Sequence, residues 1–464
     1  MKTRRVGFFL LVFVPALAHA QTPAAQATRP RTVTTAALQT AATPAVAQTP
    51  APTVRPAVVP QQPAAQRPAG TSQPDAPPAV VPSASVPPLG PAVAPTPYVP
   101  LAPLQPARPL PAARVRAHIA EAERALKTRV RPTSFGSGAA GFVTLAALDQ
   151  DSGQVHLLTL PKQTFLTQGF ETTLTSSRGT LLRVRVVRPN YVNTAVVVAD
   201  TAGRQLAPLL VEYPIEKFGR VTELAYYTSA HPALLSPELI KAGQAYVHTM
   251  VELAARRLKD KGVTITPFIQ DVAERLCLVE HVDHDRFRRE ARVALYEEIY
   301  ALYALNELNT YRYSVSTAGA GGMVQMIPWT YQMIRQRHAG VGLNPDFVAG
   351  MRNHGNALEA MLLYMQDTWS DLALDPDLSG ARSAGLATPE ELMAAGYNSN
   401  PARLAAYARR GGAGWRTLIP RETQMYLQIY KSVDALMPFK SRVEQPRAPA
   451  PVQPLPVPAS TPTP

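Results

Sequence analysis

The most informative stretch of the chain begins at Glu307. This glutamate ends an apolar run, and Ser316 follows nine residues later. A segment of small residues, 318–322, then leads to Gln325 and to a new helix start at Pro328. Small residues allow a backbone to approach a ligand closely, and a carboxyl group in an apolar cleft stays protonated because desolvation raises its pKa. The pattern therefore predicts a general acid at Glu307, held in an apolar cleft beside an extended ligand.

Two later segments follow in the same order as in a known enzyme family. The first is Gly396-Tyr397-Asn398, and the second is Pro420-Arg421-Glu422-Thr423-Gln424-Met425-Tyr426. Together with the segment that begins at Glu307, they resemble the glycoside hydrolase family 23 domain of soluble lytic transglycosylases, which is distantly akin to goose-type lysozymes. The resemblance covers about residues 300–435. Three positions depart from the usual family residues, which are Ser, Met and Ala: Leu308, Ile327 and Gly396.

The resemblance implies a reaction on peptidoglycan glycan strands without a cofactor. Glu307 would protonate the glycosidic oxygen between N-acetylmuramic acid and N-acetylglucosamine, and the muramoyl O6 would close a 1,6-anhydro ring. The motif around Glu307 supplies no second carboxylate, so substrate assistance replaces the usual carboxylate pair. The resemblance also gives substrate-binding roles to five residues: Ser316, Gln325, Tyr397, Asn398 and Glu422. Tyr397 would hydrogen-bond near Glu307.

Two other functions remain open at this stage. A lysozyme-type muramidase would use water in place of the muramoyl O6 and would need a second acid. A non-catalytic peptidoglycan-binding scaffold would not need Glu307 at all.

A second cluster of polar residues, 280–284, has the sequence Glu-His-Val-Asp-His. His281 and His284 are three apart and could share one helix face, which is a spacing used by metal ligands. No third ligand follows at a telling spacing, and three arginines lie just after the cluster. We therefore expect no metal site.

The first 20 residues predict export. A basic start precedes an apolar run, and Ala18-His19-Ala20 resembles a cleavage site for a secretory signal. The apolar run is too short to cross a bilayer as a helix, so we expect no transmembrane span. The predicted location is the periplasm or the extracellular space.

Net charge and proline content divide the rest of the chain. The formal net charge is +13, but much of the excess lies outside residues 113–441, so we expect no nucleic acid partner. Most of the 47 prolines fall in residues 21–112 and in the tail, 442–464. Both segments are predicted to be disordered and Pro-rich.

We expect a multidomain protein with a mostly α, lysozyme-like C-terminal domain. A helix is predicted at 113–130. Short β-branched runs separated by turn residues predict a small antiparallel β-domain at 134–226, sandwich-like and with an unknown partner. Helical periodicity and helix-start residues predict the α-helical domain at 231–441. Its predicted helices include three that begin at Pro237, Pro267 and Pro328 and a single helix at 285–307.

Overall fold

The computed structural model describes residues 104–129 and 141–442. The predicted signal, most of the predicted linker and all of the predicted tail except Arg442 lie outside these residues. The described chain forms an antiparallel β-sheet followed by a group of helices.

Seven strands form one sheet in the order β2-β1-β6-β5-β4-β3, with β7 paired to β6. Their bounds are β1 Phe142–Leu148, β2 Val155–Pro161, β3 Glu171–Thr175, β4 Leu181–Arg188, β5 Ala195–Ala199, β6 Gln205–Lys217 and β7 Arg220–Tyr227. The first five lie where β-branched runs and turns predict strands, whereas β6 and β7 were not predicted individually.

The sheet is nearly closed, which differs from the two-layer sandwich that we expected. The 13-residue β6 pairs with β1 along one edge and with β5 and then β7 along the other. It therefore joins the strands β1 and β2 to the strands β3, β4 and β5. The turn after β3 reaches back to β2, where the Ser177 amide donates to the Leu157 carbonyl at 2.9 Å. His156 Nδ1 and Ser176 Oγ lie 3.0 Å apart at the same place. A single long strand therefore determines the shape of the sheet.

A helix, α1 (Ala112–Thr128), covers the outer face of β1. Its buried side chains pack with Leu148, while Leu145 on the other face points into the interior of the sheet. Because both faces of β1 are covered, its residues are buried from Val143 to Leu148 with no alternation.

The segment before α1 also contacts the sheet. The Gln105 amide donates to the Gly203 carbonyl at 2.8 Å, and the Leu110 amide donates to the Ala233 carbonyl at 3.0 Å. Residues 104–111 therefore differ from the free linker that we predicted up to residue 112, because the sheet supplies partners for their backbone groups.

The helices after the sheet surround one large apolar core. They are α3 Pro237–Asp260, α4 Pro267–Val279, α5 His284–Arg289, α6 Arg292–Asn306, α7 Pro328–Arg337, α8 Phe347–Arg352, α9 His354–Leu374, α10 Pro376–Ser383, α11 Pro389–Asn398, α12 Leu404–Gly411 and α13 Arg421–Leu436, with the short α2 Lys162–Phe165 inside the sheet region. The predicted single helix at 285–307 is two helices, because Glu290 and Ala291 adopt extended backbone angles. Within the described residues, none of these helices has both the length and the apolar character needed to cross a membrane.

The last turn of α6 joins the helices to the sheet. The Asn306 side chain accepts from the Thr228 amide and donates to the Thr228 carbonyl, both at 2.8 Å. Leu302 on the same helix packs into the interior of the sheet. The chain that follows α6 therefore starts from a fixed point.

Helices α3 and α6 pack at very short distance through Gly243. A Cβ at this position would lie 1.8 Å from the Tyr300 carbonyl oxygen, so Gly243→Ala must push the two helices apart. We expect a loss of about 1–3 kcal/mol in the free energy of unfolding, measured by chemical denaturation. Gly380→Ala in α10 is the matched control, because a Cβ there meets nothing within 4 Å. Equal stability of the two variants would contradict this packing.

Candidate active site

Glu307 lies at the end of α6, in a strained backbone conformation. Its φ is 47° and its ψ is −121°, which a residue with a side chain rarely adopts. The side chain is exposed, and the neighbouring Leu308 is 59% exposed. The apolar cleft that we expected around this carboxylate is therefore not formed in this structure.

The groups nearest to Glu307 belong to a buried hydrogen-bond chain. His354 Nε2 donates to the Thr310 carbonyl at 2.8 Å, so its Nδ1 accepts from the Tyr246 hydroxyl, also at 2.8 Å. Burial lowers the pKa of His354 to about 4, which keeps the ring neutral. Burial and the nearby Glu307 carboxylate raise the pKa of Tyr246. This chain joins α3 and α9 to the segment after α6, close to Glu307.

A cavity of about 630 Å³ lies on the Leu308 side of this region. Its walls come from the β6–β7 hairpin, from the segment after α6 and from α8, and they include Lys217, Arg312 and Arg352. Glu223 pairs with both arginines, at 3.5 and 3.0 Å. The cavity therefore separates the tip of the sheet from the helices.

The segment of small residues folds into a compact hairpin. Gly321 bridges both Val315 and Met326 in antiparallel register. Ser316 closes the turn, because its hydroxyl accepts from the Ala320 amide at 3.0 Å. Gly322 has a φ of 68°, and a Cβ there would lie 2.3 Å from the Met351 carbonyl. Only glycine fits this contact with α8.

Gln325 leaves the hairpin with a φ of 46°, a second strained position. Its side-chain amide donates to the Gly322 carbonyl at 2.7 Å and to Ser314 Oγ at 3.3 Å. The side chain is therefore held against the hairpin and is not free to rotate.

Two side chains from distant helices hold the hairpin in place. His281 Nε2 donates to the Met323 carbonyl at 2.9 Å, and the Tyr397 hydroxyl donates to the Val324 carbonyl at 2.7 Å. The His281 ring stacks on Tyr311 with centroids 3.4 Å apart. Burial lowers the pKa of His281 to about 3, so it is a neutral donor. Residues far apart in the sequence thus meet at the hairpin.

Glu280, which lies at the end of α4 next to His281, places a protonated carboxyl group at the site. The Tyr426 hydroxyl donates to Glu280 Oε1 at 2.6 Å. The pKa of Glu280 is raised to about 8. Burial is the main cause, the nearby Glu422 charge also raises the pKa, and the Tyr426 hydrogen bond lowers it. Burial and Glu280 also raise the pKa of Tyr397. Glu280 therefore has the environment that we expected for Glu307.

The structure thus divides the predicted site residues. Tyr397 and Glu422 lie around Glu280, and Ser316 and Gln325 lie on the hairpin that the neighbouring His281 holds. Among the described contacts, none joins Glu307 to Tyr397 or Glu422. Asn398 is partly buried at the end of α11.

Sequence reasoning missed Glu280 as an acid because we considered its neighbourhood only as a metal site. The signal was present in the helix spacing. Ile269, Ala273 and Leu276 form the core face of α4, and a residue four positions after Leu276 continues that face. An acidic residue there is a buried carboxyl. Within the described residues, no group of three His, Cys, Asp or Glu side chains could hold a metal ion.

Comparison of the chain with protein family models, with curated proteins and with solved structures gave no match.

The raised pKa of Glu280 predicts a pH-dependent stability. Between its ordinary value of 4.5 and about 8, the folded protein retains a proton at this site that the unfolded chain releases. The free energy of unfolding should therefore fall as the pH rises through this window. Glu280→Gln removes the proton exchange, so its stability should fall less between pH 5 and 8.5 in chemical denaturation. Glu307→Gln is the control and should keep the wild-type slope. Identical slopes in Glu280→Gln and the wild type would contradict the assignment.

Proposed function

We propose that this protein cleaves peptidoglycan glycan strands as a lytic transglycosylase, with Glu280 as its general acid. One observation carries the proposal. The three segments that resemble family motifs meet around Glu280: the Tyr426 hydroxyl donates to its carboxyl group, and Tyr397 and the adjacent His281 donate to the hairpin. The resemblance alone assigned the acid to Glu307, whereas the burial that raises the pKa of Glu280 favours Glu280.

The chemistry follows from the protonation state. A carboxyl group with a pKa of about 8 is protonated at neutral pH, so Glu280 can donate its proton to the glycosidic oxygen as the C1–O bond breaks. The N-acetyl group of the same sugar stabilises the developing cation. The muramoyl O6 then bonds to C1, and its proton returns to Glu280. The enzyme is restored, and the strand ends in a 1,6-anhydro sugar.

The remaining predicted residues receive supporting roles in this proposal. Ser316 and Gln325 orient the sugar and its N-acetyl group from the hairpin, and Asn398 fixes the end of α11. Glu422 lines the groove. The helices form a lysozyme-like domain, and the protein acts on the wall outside the cytoplasm after export.

A second candidate is a lysozyme-type muramidase, which is supported by the position of Glu422 near Glu280. Glu422 is exposed and close enough to Glu280 to raise its pKa. A second carboxylate near the acid could activate water, as in glycosidases that use a carboxylate pair. The two candidates differ in their products, since water gives a reducing end and the muramoyl O6 gives an anhydro end.

Substitution of the two glutamates decides which of them is the acid. Purified sacculi are digested with the wild type, Glu280→Gln and Glu307→Gln, and the released muropeptides are identified by mass spectrometry. Glu280→Gln should lower the rate by about 10²–10⁴-fold, the usual contribution of general acid catalysis. Glu307→Gln should release anhydro ends at a rate near that of the wild type, because its side chain is exposed and is not a hydrogen-bond partner of Tyr397 or Tyr426.

Other outcomes have defined meanings. Loss of activity only in Glu307→Gln would return the acid to Glu307. Reducing ends from the wild type would favour the muramidase. No release by the folded wild type would contradict both enzymes and leave a wall-binding scaffold.

Two neighbours of Glu280 should shift the pH profile in opposite directions. Activity needs protonated Glu280, so it falls as the pH rises through the pKa of this group. The Glu422 charge raises that pKa and the Tyr426 hydroxyl lowers it. Glu422→Gln should therefore move the basic limb of the kcat/KM profile to lower pH, and Tyr426→Phe should move it to higher pH. A purely structural role for both residues would lower the rate without moving the limb.

A further inference from the structure

An exposed tryptophan follows the hairpin that His281 and Tyr397 hold. Trp329 lies in the first turn of α7 and is 69% exposed. Val315 on the same hairpin is 69% exposed, and Ile327 is 40% exposed. Three large apolar side chains are thus presented to solvent within one short segment.

The backbone geometry keeps these side chains on a fixed support. Gly321 bridges both Val315 and Met326, which sets the two outer strands of the hairpin side by side. Pro328 starts α7 and packs against the turn, since a Cβ on Gly319 would lie 3.8 Å from its ring. Trp329 therefore stands where the hairpin meets the helix, and its backbone cannot move independently of the hairpin.

The other two tryptophans of the chain show what this residue type does when it serves packing. Trp415 is fully buried and donates to the Leu386 carbonyl at 3.0 Å. Trp369 is partly buried against Phe268, with ring centroids 4.8 Å apart. Trp329 has no such role, since most of its surface faces solvent. Exposed aromatic side chains are favoured where a ligand covers them, because the ring buries a large apolar area with little loss of conformational freedom.

We infer that Trp329, flanked by Val315 and Ile327, is a sugar-stacking subsite for a pyranose ring of the glycan strand. The inference rests on the proposed function, because it takes the occupant from the strand that Glu280 cleaves. One face of a β-linked pyranose presents C–H groups, which pack on an indole ring, while its hydroxyl groups stay in water. The occupant is a ring along the strand and not the bond that is cleaved, since Trp329 is on the outer end of the hairpin.

Continuity with the candidate site identifies this occupant. Residues 323 and 324 accept the hydrogen bonds of His281 and Tyr397, and Trp329 follows only five residues later. A strand that reaches Glu280 along the hairpin meets this apolar surface as its next support.

Tryptophan fluorescence tests the inference directly. The titrated protein is the full chain with Glu280→Gln, which keeps Trp329 but cannot transfer the proton, and the probe is a β-1,4-linked N-acetylglucosamine hexasaccharide. We expect a saturable change in emission. Adding Trp329→Phe should abolish most of this change, because the two remaining tryptophans are buried or packed. An unchanged titration curve in the double variant would overturn the inference.

Kinetics on soluble glycan strands give a second readout. Trp329→Ala should raise KM roughly tenfold, the factor that corresponds to about 1.4 kcal/mol, with little change in kcat. Trp329→Tyr should restore most of the affinity. Leu374→Ala removes another exposed apolar side chain, 85% exposed at the end of α9, and should leave KM unchanged.

If the wild type cleaves strands and Trp329→Ala has wild-type KM, the subsite is wrong while the proposed function stands. If the wild type does not cleave but the hexasaccharide still changes the emission of Trp329, the subsite stands and the cleavage fails.

Discussion

The candidate site depends on how the carbonyl groups of one hairpin find their partners. The Met323 and Val324 carbonyls are buried, and buried backbone acceptors require donors. His281 supplies one donor from the turn after α4, and Tyr397 supplies the other from α11. Glu280 is the residue before His281 in the chain. The hydrogen bond from His281 to the Met323 carbonyl therefore also places Glu280 near the hairpin.

Burial around Glu280 then has a direct chemical consequence. Tyr397 and Tyr426 exclude water from one side of the carboxyl group, and a charged carboxylate is disfavoured where it is desolvated. The protonated state is stable near neutral pH, which is the state that a general acid needs. The hydrogen bond from Tyr426 and the charge of Glu422 act in opposite directions on this pKa. The side chains that pack around Glu280 are therefore also the ones that set its protonation state, on which the proposed function depends.

The sheet contributes a fixed attachment for the helices. Strand β6 joins both halves of the sheet, and the pair formed by Asn306 and Thr228 fixes the end of α6 to it. The chain after α6 passes through the strained positions Glu307 and Gln325. Strain of this kind persists only where the surrounding structure holds it, and here the holding elements are the sheet on one side and the helical core on the other.

The sequence alone determined most of the element types, most helix starts and the segments from which the candidate site is built. Helical period, N-terminal prolines and turn residues are local signals, so the helices at Pro237, Pro267 and Pro328 could be predicted. Tertiary structure decided the rest. The extended backbone angles of Glu290 and Ala291 divide a helix that was predicted as one. The long strand β6 nearly closes the sheet, and the spacing of turn residues does not predict how strands pair. The choice of Glu280 as the proposed acid rests on tertiary structure in the same way. Glu307 has the expected spacing from Ser316, but the pKa of a carboxyl group depends on what covers it, and only folding brings Tyr426 over Glu280.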